Sequence, residues 1–213
     1  LETIMKTKKF ISNAKNEVGR IIAHSKVDSR TIIARYTAAV AVNFTDWIGK
    51  TIPWARHETA RHALVDNLRC EAVHDHVKML LNFAALSKAM PDREDYAHTY
   101  DEVTDIRKLF AEPTTAGLSG VALCAVLENT SEIFIPDLAR RAKECGCTDF
   151  EYTNVHGEAD VEHSDAFLRA TEAEQTMGYR NPEYFVRDAT ELAVALIARI
   201  YACLLYTSDA ADE

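Results

Sequence analysis

The chain has 213 residues, 47% of them hydrophobic, which suits one domain with a sizeable core. Its 7 glycines and 5 prolines are too few for the turns that hairpins and sandwiches need, so the composition favours helices. A formal charge of -9 offers no Lys/Arg stripe to offset phosphate repulsion, which argues against a nucleic-acid partner.

In chain order, residues 6–24 carry Phe10, Ile11, Ala14, Val18, Ile21 and Ile22 at helical spacing. A second helix is expected over residues 29–48, capped at Asp28-Ser29. Thr51-Ile52-Pro53 is a break, because proline disfavours helix in the residue before it. A third helix resumes near Arg56 and continues to about Met90, with Leu64, Leu68, Cys70, Val73, Val77, Leu80 and Leu81 as its buried face. A mixed polar helix follows over residues 92–110. Residues 114–117 read as a loop or cap. Residues 118–144 form a long apolar helix, kinked at Pro136 and stopped by Cys145-Gly146-Cys147. A very acidic helix over residues 153–177 comes next. Asn181-Pro182 then starts the last helix as cap and first residue. The expected fold class is all-α, a single-domain bundle of about seven helices.

The cysteines, Cys70, Cys124, Cys145, Cys147 and Cys203, are odd in number, and three lie in apolar helical runs. A disulfide framework is not expected, and a cytoplasmic, reducing location is. No signal peptide is visible and no apolar run is seen to approach 18 residues, so no membrane partner is expected. The chain starts at Leu1, so its true start is expected to be missing. Residues 203–213 read as a translated transposon-adaptor sequence that interrupts the last helix. The domain is therefore expected over residues 1–202, cut short at its C-terminus.

The chemistry concentrates in three places. His156, Asp160 and His163 stand at i, i+4 and i+7, within about 60° of arc on one helix. Imidazoles and a carboxylate in one stripe suit iron, manganese or zinc. Glu71 and His74, at i and i+3, share a helix face as in carboxylate-bridged metal bundles. His76 stands about 200° around from His74 and is the substitute ligand if the helix is irregular there; an unbroken helix favours His74. Glu128 follows a run of six apolar or small residues, where a carboxylate is costly unless paired or metal-bound. Glu132, one turn on, is its competitor. Glu71, His74, Glu128, His156, Asp160 and His163 together supply three carboxylates and three imidazoles, enough for two metal ions with open positions. Phe83, Phe110, Phe134 and Tyr152 are candidates for the pocket wall. Gly157 and the acids Glu158, Asp160, Glu162 and Asp165 predict a segment that cations would order.

In this order of motifs the chain resembles the heme-oxygenase-like di-iron oxidases and oxygenases, over about residues 10–200. That family carries E-x-x-H, or a longer Glu-to-His spacing, on one core helix, a lone Glu on a second, and H-x-x-x-D-x-x-H on a third, matched here by Glu71/His74, Glu128 and His156/Asp160/His163. His76 is the departure from the pattern. The resemblance implies a heme-oxygenase-like bundle, two iron ions (Fe2+/Fe3+) and dioxygen as co-substrate. It implies a dioxygen-dependent oxidoreductase acting on a small amino-acid-like or fatty-acid-like molecule. It leaves room for manganese at one position, an external electron donor and a homodimer. The rivals are a metal-independent thiaminase-II-like hydrolase using Cys124 or Cys145, a ferritin-like di-iron protein, a heme protein with His24 as axial ligand, and a non-catalytic helical binding domain.

Overall fold

The computed structural model describes residues 2–203, except for the side chains of residues 2–5 and 158–161. The described residues form ten helices and no strand: α1 (Glu2–His24), α2 (Ser29–Val40), α3 (Asn43–Thr51), α4 (Glu58–Val73), α5 (His76–Leu86), α6 (Arg93–His98), α7 (Tyr100–Lys108), α8 (Pro113–Glu144), α9 (Glu151–Glu174) and α10 (Pro182–Tyr201).

Seven helical runs in the sequence become ten helices because three of them are broken. The run over residues 29–48 parts into α2 and α3 at Ala41-Val42, and Asn43 sends its amide back to the Ala39 carbonyl at 2.9 Å. The polar run parts into α6 and α7 at Thr99. The most consequential break is at His74-Asp75. Asp75 takes a left-handed conformation, φ 50°, tolerable for Asp, and its carboxylate accepts from the Lys78 N–H at 3.3 Å to cap α5. Val73, expected in the core, is left 78% exposed at this break.

The other ends follow their chemistry. Asp28 accepts from Thr31 N at 3.0 Å, and Asp92 with Asp95 forms a capping box on α6. Residues 114–117, expected as a loop or cap, lie in the first turns of α8, whose first residue is Pro113. Gly146, at φ 83°, ends that helix. Asn181, at φ 56°, precedes Pro182 without capping α10 through its side chain.

α8 is the axis of the bundle, with α1, α2, α3, α9 and α10 packed around it. Its stretch from Ala116 to Ser131 is buried without interruption. By length and composition it could cross a membrane, which corrects the expectation that no apolar run approaches 18 residues. Its apolar face is covered by neighbouring helices instead. α4 and α5 both pack on α9, and α9 packs on α8. Those contacts bring together the three stretches that carry the candidate ligands.

Candidate metal centre

Glu71 lies in the last turn of α4 and is 8% exposed; His76, at the start of α5, is 3% exposed. The αL turn at Asp75 folds His76 back so that its Nδ1 stands 3.0 Å from Glu71 Oε1. On α9, His156 places Nε2 3.9 Å from the same carboxylate oxygen. The His76 and His156 rings are 4.5 Å apart between centroids. One ligand atom from each of Glu71, His76 and His156 lies within 4.8 Å of the others. Donors at about 2.0–2.2 Å from one cation stand at most about 4.4 Å apart, so the trio needs to close by only a few tenths of an ångström.

His74 sits elsewhere. It caps α4 at the surface, exposed, its ring 5.8 Å from that of His76. Of the two first-helix histidines, the geometry brings His76 and not His74 to Glu71. The preference for His74 assumed a continuous helix, and the helix stops at Val73. The signal was present: Asp75 is an N-cap residue type in the middle of an apparently continuous run.

Glu128, 5% exposed, faces the same space from α8. Its Oε2 lies 3.9 Å from His163 Nδ1 on α9, and its Oε1 accepts from Asn67 Nδ2 at 2.8 Å. Its backbone carbonyl accepts the Ser131 and Ser164 hydroxyls at 2.6 and 2.9 Å, which ties α9 to α8 beside the carboxylate. The competitor Glu132 pairs with Lys15 at 3.0 Å, away from this cluster. The side chain of Asp160 lies outside the described residues.

The tautomers suit metal ligation. His156 Nδ1 lies 2.8 Å from the Tyr152 carbonyl, which can only accept, so Nδ1 carries the proton and Nε2 keeps its lone pair toward Glu71. Burial pushes the His156 pKa below the ordinary imidazole value, with Glu71 opposing, and burial likewise lowers that of His163. Both rings are therefore neutral near pH 7. His76 is the clearest fit: both ring nitrogens are buried without an aligned hydrogen bond, although Nδ1 is close to Glu71. A buried imidazole with free lone-pair directions beside a buried carboxylate is a cost that a cation removes.

A cavity of about 50 Å³ adjoins the cluster, with Glu71, His76, Glu128 and His156 in its wall. The remaining wall is mostly apolar, including Phe44, Leu80, Leu127 and Phe134. Phe134 and Tyr152 line it as expected, and the Tyr36 and Tyr152 hydroxyls bond each other at 2.8 Å at its edge. Phe83 stands behind Tyr152 with ring centroids 5.7 Å apart, and Phe110 borders a separate surface groove with Lys50 and Trp54.

The rival chemistries find little here. Burial, then Glu128, raises the Cys124 pKa far above the ordinary thiol value, and burial raises that of Cys145; neither is a ready thiolate. His24 is exposed at the end of α1 with its Nδ1 on the Arg20 carbonyl.

No curated protein matches the chain. The model of a family of iron-containing redox enzymes matches residues 33–191, a span that takes in Glu71, His76, Glu128, His156 and His163. The donor set fits iron, and the all-α bundle is heme-oxygenase-like. A buried cluster of imidazoles and carboxylates in such a bundle, together with that match over well over half its length, establishes that the chain belongs to the iron-containing redox enzyme family.

Proposed function

We propose that the protein is a non-heme di-iron oxidase or oxygenase that uses dioxygen to oxidise a small organic substrate. The observation that carries this reading is the convergence of Glu71, His76 and His156 at ligand distance, with Glu128 and His163 beside them. Two imidazoles and one carboxylate are the donor set that leaves open positions on non-heme Fe(II). On this reading Glu71, His76 and His156 hold one cation, and Glu128 and His163, with Asp160 from the same stripe, hold the second. Bound iron supplies redox chemistry toward dioxygen, and manganese is compatible with one of the two donor sets.

The chain's own residues do the rest. The Tyr152 carbonyl fixes the His156 ring and keeps Nε2 free for ligation. Ser131 and Ser164 hold the backbone at Glu128, so that its carboxylate is presented from a rigid turn. The apolar wall excludes water from the reacting centre. That wall suits the aliphatic part of a fatty-acid-like or amino-acid-like substrate. Among the described residues no Lys or Arg lines the cavity, and the acidic side chains there are Glu71 and Glu128, both assigned as ligands. An aliphatic body suits Val40, Leu80 and Ile135. A reducing, cytoplasmic setting suits the free thiols of all five cysteines.

The test is anaerobic loading with Fe(II), metal counting, and then exposure to oxygen with oxygen consumption and the visible spectrum followed together. Two iron ions per chain and iron-dependent oxygen uptake are expected. A chain that binds no iron stoichiometrically, or whose bound iron ignores oxygen, is not this enzyme.

A further inference from the structure

Asn67 lies one turn before Glu71 on α4 and is 1% exposed. Its amide nitrogen stands 2.8 Å from Glu128 Oε1 and 3.0 Å from His163 Nδ1. A carboxylate can only accept, so the atom facing Glu128 is the N–H donor. Both donors of the amide are thereby committed, one to the carboxylate and one to the imidazole lone pair. The His163 Nδ1 lone pair is the one that a cation between His163 and the facing Glu128 Oε2, 3.9 Å away, would take. The opposite end of the amide is unusual as well, since Oδ1 is buried without a hydrogen-bond partner. A side chain that served only to tie α4 to α8 and α9 would ordinarily satisfy that oxygen. Among the described residues nothing comparable stands at the other half of the cluster, where the His76 ring nitrogens have no aligned partner.

We propose that Asn67 is a positioning residue that locks the second cation position with its amide. The lock rests on the dinuclear reading above and adds an order to it. Glu71, His76 and His156 accept a cation with only a small closure. Glu128 offers Oε2 directly, but His163 Nδ1 accepts a cation only after the amide has let go of it. Withdrawing it from His163 breaks a hydrogen bond within a buried network, worth about a tenfold factor in binding. With the cation absent, the amide keeps Glu128 and His163 apart from each other's lone pairs and facing the same point.

The experiment is an anaerobic titration of the full chain with Co(II), following its ligand-field absorption, with Fe(II) in competition with a chelator as a second measure. Wild-type protein should take up two cations in two steps, the second weaker by about tenfold or more. Asn67→Leu keeps most of the side-chain volume and removes both donors. It should leave the first step in place and tighten the second by about tenfold. Asn67→Ala should do the same and serves if the leucine variant is not folded by circular dichroism. A second step that is unchanged or weaker in a folded variant overturns the lock, because the amide is then a support or a ligand. Two equal steps in wild type overturn the lock and leave the dinuclear reading standing. Fewer than two cations in wild type overturn the dinuclear reading, and the lock falls with it.

Discussion

Glu71 is held 8% exposed beside two imidazoles, and an ionised carboxylate so deeply buried needs positive charge close by. Burial depresses the His156 pKa, so that ring does not readily supply it. A divalent cation answers all three groups together. The two histidines beside the αL turn then have different fates. His76→Ala removes a buried ligand and should weaken the first cation by more than about 100-fold, beyond the effect usual for groups that only support a ligand. His74→Ala removes an exposed ring and should leave affinity within about twofold of wild type, within the range of surface changes. Anaerobic cation titration of the two variants side by side checks this. Equal losses would mean that the exposed ring joins the site.

At the scale of helices, the placement of Glu128 depends on how closely α8 approaches its neighbours. A Cβ on Gly120 would fall 2.0 Å from Thr51 Oγ1 on α3, and one on Gly117 would fall 2.2 Å from the Trp54 carbonyl. Gly120→Ala must push α3 and α8 apart and should cost about 1–3 kcal/mol in urea unfolding. Gly49, on the same α3, has open space around its Cβ position, so Gly49→Ala should stabilise by about 0.5–1 kcal/mol through helix propensity alone. Opposite signs from two Gly→Ala changes, one on α8 and one on the α3 it packs against, would separate close approach from propensity. The helices themselves were legible, since the apolar period that marks α1, α8 and α10 is the stripe that α8 and its neighbours bury. The breaks within runs were less so. Periodicity continues through His74-Asp75, and only the capping carboxylate of Asp75 betrays the turn. At residues 114–117 the error ran the other way: small and β-branched residues read as a loop or cap form the start of α8, because Gly117 is needed for contact with Trp54 and not for a turn.

For the whole molecule, the site is a junction between stretches of chain far apart in sequence, with Glu71 and His76 on α4 and α5, Glu128 on α8, and His156 and His163 on α9. Each of these, except the choice between His74 and His76, was legible from residue type and spacing. Asn67 was not singled out by spacing, because an amide has no ligand signature and its role comes only from where α4 meets α8 and α9. A cation shared across these helices binds the folded chain and finds no preformed site in the unfolded one, so its binding energy is added to stability. At a free concentration about 100 times the dissociation constant, one site contributes about 2.7 kcal/mol. For a chain of this size that corresponds to a rise in Tm of about 5–10 °C. Anaerobic Fe(II) should produce that rise in wild type, and Glu71→Gln, which keeps the shape but loses the anionic ligand, should lose most of it. Differential scanning calorimetry with and without Fe(II) decides the matter. A wild-type Tm that does not respond to the cation would mean that the four helices meet there for packing alone.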